Sequence, residues 1–472
     1  MADTKPSYEP GDVAWVLVST GLVLLMVPGI SLFYSGLGRR KSALSLLFVP
    51  VLGAAVVLFQ WFIFGYSLTF ARSDNPIIGN MNNAGFRDTL DQPSVLTTSQ
   101  PDLLVAVYQS MFAAVTVAII VGCVAERGRL LPALVFSFIW TTLVYDFIAY
   151  WTWNPSGWLF KLGGLDFAGG TPVHVASGSA ALAYSMMLGP RRGHGTSELT
   201  FRPHNTTLVI IGTTFLWVGW SGFNGGSALA ANMRAITAVV VTNLAATVAG
   251  ITWCAIDYRL QGRFSAIGFC SGVVAGLVAI TPGSGYVAPW AAVVFGVVAG
   301  AACNFATKLK FLLRIDDALD IFALHGVGGL VGDFLTGVFA EDYVAALDGV
   351  TQISGGWING NWIQAAYQLA GAVSGLVYSF VMTCLILMVL KYIPGLSLRM
   401  SDGEQVLGAD EIEVGEFGYD YVELERDVAA TLDAATNLRS MGNMHSQDSY
   451  RPSFDHAGIG SYEVVISGNK ER

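Results

Sequence analysis

Two histidines in apolar, small-residue runs carry the sharpest chemical signal in this 472-residue chain. His174 lies in DFAGGTPVHVASG and His325 in DALDIFALHGVGG. Each follows an aspartate by eight residues, Asp166 and Asp317. An imidazole in such surroundings costs free energy unless something uses its nitrogens. Two adjacent imidazoles can share one proton, leaving an acceptor and a donor along a narrow dry path. Both cannot comfortably be charged there. The pair suits a small neutral solute that accepts and donates hydrogen bonds. The competing reading is two structural histidines, each satisfied by a backbone carbonyl. Asp166 also has two readings, as a metal or proton-relay group or as a structural and electrostatic one. The second is preferred, because LDFAGGTP reads as a turn entering a helix, with Thr171 as N-cap and Pro172 at the first helical position. Its charge near an outer vestibule would attract a cation.

Aromatic residues are expected to gather at the outer ends of their segments: Tyr108 and Phe112 in YQSMF, Trp153 in YWTW, and Trp220 and Phe223 in GWSGFNGGS. An interfacial belt accounts for Trp151 and Trp158. Phe112 and Phe223 lie deeper, where a belt explains less. An aromatic face beside the Ser227 hydroxyl would hold a small cation by cation–π attraction and one hydrogen bond.

The elements that must position these residues are membrane helices. Hydrophobic residues make up 53% of the chain and charged ones only 12%, against about 25% charged in a soluble domain. Apolar runs of about 20 residues, the length that spans a bilayer, recur at roughly 12–36, 44–70, 102–124, 130–151, 170–188, 205–225, 235–256, 264–280, 288–307, 319–339 and 363–392. The predicted fold is an all-α integral membrane protein with eleven transmembrane helices. An odd count puts the termini on opposite sides. With the N-terminus outside, the inner loops hold thirteen Lys or Arg residues and the outer side five, so the positive-inside rule gives N-out, C-in. The matched Asp–His spacing in runs five and ten, and FYSGL in run one against GWSGF in run six, imply a five-plus-five inverted repeat plus a final helix. Such repeats place a substrate path at their interface near the midplane.

The net charge of −9 belongs to an appendage. From residue 401 onward 15 acidic residues face 5 basic ones, and the rest of the chain is about neutral. The expected organisation is an extracellular N-terminus (1–11), an eleven-helix domain (12–392) and a cytosolic regulatory tail (393–472), disordered beyond about 428. Five scattered cysteines suggest neither disulfides nor a zinc site. No cleavable signal peptide is expected. The sequon at Asn205 falls at the inner face and reads as a chance match.

Taken together, PGISLFYSGL, VGCVAERGRL, DFAGGTPVHVASG, GWSGFNGGSA and DALDIFALHGVGG, in that order, resemble the ammonium transporter, methylammonium permease and Rhesus family, in particular its fungal high-affinity ammonium permeases. The resemblance spans roughly residues 10–425. It implies a plasma-membrane homotrimer with one pore per protomer, taking up ammonium or methylammonium for nitrogen utilisation. It implies that Trp153 and Ser227 recruit the cation with Tyr108 at the edge, where many bacterial members carry Phe. Phe112 and Phe223 correspond to a stacked gate, His174 and His325 to the twin-histidine pair with Trp220 among the pore residues, and Asp166 to the buried acid near the site. Rhesus-type members lack the Trp-based site, so Trp153 argues against that branch. EQVLGAD, with Glu404, Gly408 and Asp410, and GEFGYD resemble a C-terminal motif that packs under the trimer. Ser440 and Ser453 follow basic residues, so a cytosolic kinase or other regulator of the tail is one expectation and incidental linker serines the other. No cofactor, metal or nucleic acid is expected. One rival is a nutrient receptor that senses ammonium without significant flux. The other, an enzyme using the histidines as acid and base, is disfavoured because no nucleophile, metal cluster or cofactor motif accompanies them.

Overall fold

The structure is a computed structural model that describes residues 8–90, 92–196 and 203–419. Ser440, Ser453 and the boundary expected near 428 lie outside the described residues. The helices below belong to one unit, Met1–Gly418; the second unit, Tyr419–Arg472, falls almost wholly outside the description.

The long helices are α1 (Pro10–Leu37), α2 (Ala43–Gln60, continued to Phe70), α3 (Asp102–Ile120), α4 (Leu130–Trp140, continued to Trp153), α5 (Gly170–Val175 with Ala176–Leu188), α6 (Thr206–Gly226), α7 (Met233–Gln261), α8 (Ala266–Ile280), α9 (Pro289–Ala306), α10 (Phe322–Val327 with Gly328–Phe339) and α11 (Gln364–Lys391). Among the described residues nine helices are long and apolar enough to cross a membrane, and Ala266–Ile280 is a shorter apolar one. No strand occurs among these residues; two isolated bridges, Pro93–Pro101 and Gly128–Arg399, are the only β pairings.

Local chemistry sets the helix starts. Proline stands at the first turn of α1 and α9, where its missing N–H costs nothing. Side chains of Asn205, Asn232 and Ser265 cap α6, α7 and α8, each satisfying an otherwise orphaned backbone donor. Asn205, the residue of the sequon, is thus a helix cap.

α1 and α6 touch backbone to backbone. A Cβ on Gly29 would lie 3.1 Å from the Leu216 nitrogen, one on Gly36 2.6 Å from the Asn205 oxygen, and one on Gly212 2.5 Å from the Phe33 nitrogen. Small residues permit this approach, which is how apolar helices associate without a hydrophobic drive between them. The two helices carry FYSGL and GWSGF, so the helices that bear the related motifs are packing partners, although the motifs themselves meet different stretches of the opposite helix.

Four long helices contain a π-helical turn: Trp61–Gly65, Thr141–Tyr145, Gly170–Val175 and Phe322–Val327. Such turns displace one residue from the regular register and recur at functional sites. His174 and His325 each stand in one. α5 and α10 pack closely, because a Cβ on Gly178 would overlap the Gly326 backbone. At the loop that follows Phe70, the buried Trp151 indole donates to the Ile77 carbonyl at 2.8 Å and Tyr150 Oη to the Asn75 carbonyl at 2.5 Å. This corrects the belt reading for Trp151, which ties a loop to α4.

Candidate functional site

The expected recruitment residues come together at one end of α3, α4 and α6. Tyr108 is fully buried; its hydroxyl reaches the Gly222 and Phe223 carbonyls at 2.9 Å each and Ser227 Oγ at 3.4 Å. Ser227 Oγ donates to the Phe223 carbonyl at 2.8 Å. Trp153 Nε1 donates to the Asp166 carbonyl at 3.0 Å, which fixes the indole with its faces free of that bond. The Phe112 ring stands perpendicular to Trp153 at 6.0 Å.

Beneath them Phe112 and Phe223 stack at 4.1 Å and 25°, both fully buried. Two aromatic planes at that distance leave no room for a solute between them. His174 lies 6.0 Å beyond Phe223 and stacks on Trp220 at 5.3 Å. Trp220 is therefore beside the histidine rather than with Tyr108 and Trp153, where it was expected. Its indole N–H is used by Thr281 Oγ1 at 2.9 Å.

His174 Nδ1 and His325 Nδ1 are 3.3 Å apart. At that separation one nitrogen carries the proton and the other accepts it. His174 Nε2 is buried without a partner. His325 borders a narrow, mainly apolar cavity that continues past Trp220 between Tyr34, Ile119, Leu319 and Ile321. The purely structural reading, a carbonyl for each imidazole, does not describe this pair.

Asp166 is the capping residue of α5. Its Oδ1 accepts from the N–H groups of Gly169 and Gly170 at 2.7 and 2.8 Å, and Oδ2 accepts from Thr171 at 2.8 Å. Thr171 was the expected N-cap, and the structure corrects this. Gly169, at φ +113°, turns the chain back so that the carboxylate reaches the open donors first; the Thr171 hydroxyl instead donates to Asp333 Oδ2 at 2.8 Å. Asp317 does the same for α10, accepting from Phe322 N at 2.9 Å. The eight-residue Asp–His spacing is thus a helix cap and the histidine it positions. Asp333 was missed, although a carboxyl inside an apolar run was the available signal. No group of three or more His, Cys, Asp or Glu suited to a metal occurs among the described residues.

A sequence model of the Ammonium Transporter Family matches residues 14–419. The chain belongs to the ammonium transporter family. It is 58% identical over 415 residues to Ammonium transporter 1 of Schizosaccharomyces pombe, covering 88% of this chain and 83% of that one. To Ammonium transporter MEP2 of Saccharomyces cerevisiae it is 49% identical over 425 residues, covering 89% and 85%. It resembles the crystal structure of Saccharomyces cerevisiae Mep2 with a TM-score of 0.80 at 49% identity, covering 85% of this chain and 92% of that one.

In this ammonium transporter family member the C-terminal motif has a definite seat. A short helix, Asp402–Leu407, begins with a capping box between Ser401 and Glu404. Glu404 takes Arg129 in a two-pronged ion pair at 2.7 and 2.8 Å, and Glu413 takes the same guanidinium at 2.9 Å. Asp410 accepts from Leu44 N and Ser45 N at the start of α2, at 3.0 and 2.7 Å. Lys41 Nζ caps the short helix at the Gln405 and Val406 carbonyls. Gly408 adopts φ +116°, and a Cβ there would lie 2.5 Å from the Lys41 carbonyl, so only glycine suits the position. The Ser401 backbone N–H, then the Arg129 guanidinium, hold the Glu404 carboxyl down at about 2.

Proposed function

We propose that this chain takes up ammonium across the plasma membrane as a homotrimer, each protomer having eleven spans in a five-plus-five inverted arrangement, N-terminus outside and C-terminus inside. Trp153, Ser227 and Tyr108 capture the cation, and the Asp166 charge favours it there. Moving an intact ion across the apolar stretch would cost on the order of 20 kcal/mol by the idealised Born estimate. Ammonium, as a weak acid, leaves its proton behind; potassium has none to leave. Neutral ammonia then passes the Phe112–Phe223 gate and is handed along His174 and His325, whose linked nitrogens accept and donate in turn; the released proton is relayed separately along the same nitrogens, so the two crossings sum to ammonium and carry charge. Trp220 walls the path. Residues 393–472 form a cytosolic tail whose Glu404, Gly408 and Asp410 lock it to the starts of α2 and α4, and a regulator or kinase would act on the tail, the kinase at Ser440 or Ser453.

The observation that carries this reading is the 3.3 Å contact of two buried imidazoles directly behind a stacked aromatic pair. The test is flux: purified protein in liposomes free of other transporters, exposed to an ammonium gradient. Ammonium-dependent current or internal alkalinisation supports transport, and its absence from folded trimers leaves the receptor reading standing.

A further inference from the structure

Asp333 has no place in the pathway above, yet it is 1% exposed in the middle of α10. Its Oδ2 accepts from Thr171 Oγ1, whereas Oδ1 is buried without a partner. A small cavity lined by Asp166, Thr171, Asp333 and Gln368 separates the two carboxyls from α11. Neither carboxyl has an ion pair with Lys, Arg or His among the described residues. Thr171 connects them, giving its N–H to Asp166 and its hydroxyl to Asp333. A Cβ on Gly170 would lie 2.5 Å from Asp333 Oδ1, so the glycine makes room for the acid.

The two groups are not equivalent. Asp166 receives three backbone N–H groups at a helix N-terminus, an environment that favours the ionised form. Asp333 receives one hydroxyl and keeps a bare oxygen in a dry setting, which favours the neutral form. Of two neighbouring buried carboxyls with unequal donors, only one readily ionises.

We propose that Asp333 is a proton-holding positioning residue. It stays a neutral acid beside the Asp166 carboxylate and, through Thr171, fixes the first turn of the helix that carries His174. The proton resides on Oδ1, and Oδ2 is the carbonyl oxygen that accepts from Thr171. The pair then presents a single negative charge; only that consequence for cation capture rests on the pathway proposed above.

Infrared spectroscopy of the substrate-free trimer in lipid tests this without any transport. Wild type should show a protonated-carboxyl C=O band that shifts in heavy water. Asp333→Asn should abolish one component of it, and Asp146→Asn, which alters another buried acid, one that lies beside Gln60, should keep that component. Thr171→Val should move the band to higher frequency by removing the hydrogen bond to the carbonyl, and this arm decides the matter if Asp333→Asn fails to fold. A band unchanged in Asp333→Asn, or unmoved in Thr171→Val, overturns the proposal. A merely structural, ionised Asp333 would give no such band to lose.

Discussion

The two histidine-bearing helices obey one plan but are built to different tolerances. At the start of α5 a single carboxylate satisfies three backbone donors, and His174 ends up fully buried against both Trp220 and Phe223 with one nitrogen unpartnered. At the start of α10 Asp317 satisfies Phe322 and leaves Oδ1 buried without a partner. His325 there borders the apolar cavity. The first helix is rigidly anchored on the side of the aromatic stack. The second opens its histidine to the space beyond. In the proposed pathway this contrast would separate capture from onward passage.

The largest effect expected from breaking this contrast is at Asp166. Asp166→Ala leaves three donors open, at about 1–3 kcal/mol for each buried group left unsatisfied, and should lower the melting temperature of the purified trimer far more than Asp317→Ala. Equal losses in thermal unfolding would show that the two caps do not differ as described.

Next comes the tail, which contrasts with both helices because ion pairs hold it. Arg129→Ala removes the partner of Glu404 and Glu413 together and should release the segment, read as faster hydrogen exchange over 401–414 and reduced uptake. The folded Glu404 carboxyl sits at about 2, below its ordinary value near 4.3. A depressed carboxyl stabilises the docked form above the ordinary value, and that stabilisation is lost as pH falls from about 4.5 toward 2. Exchange protection over 401–414 should therefore be flat near neutrality and decline only in that acid window. Removing 429–472 should preserve the trimer with some transport, whereas removing 401–472 should cut uptake sharply. If the two truncations behave alike, the boundary near 428 is misplaced.

The smallest effect is at the recruitment site. Trp153→Leu removes a cation–π contribution of roughly 0.5–2 kcal/mol, so the apparent KM should rise about two- to thirtyfold while flux persists. An unchanged concentration dependence places capture elsewhere.

Much of this was legible because bilayer helices announce themselves by length and composition. Every apolar run corresponds to one of the long helices, with small shifts at the ends. The histidine pair was legible as well, since repeated spacing brings equivalent residues together. What stayed hidden was mostly local geometry. Thr171 followed by Pro172 matches a cap-and-first-turn pattern, but a left-handed Gly169 lets Asp166 reach the same donors. Trp151 looked like a belt residue until a loop carbonyl from Ile77 claimed its N–H. The role of Asp410 depends on the distant start of α2, which no spacing within the motif reveals.

The central claim is that His174 and His325 form the conducting element. Its most direct test is ammonium and potassium current in liposomes carrying wild type, the His174→Ala/His325→Ala double variant, and His174→Glu. The double variant loses the hydrogen-bonding groups, each worth about 0.5–1.5 kcal/mol, and should carry clearly less ammonium current. His174→Glu, whose carboxylate can hold a cation and draw in water, should still pass ammonium and admit some potassium. A double-alanine protein that carries ammonium current at the wild-type rate while still excluding potassium would contradict the account.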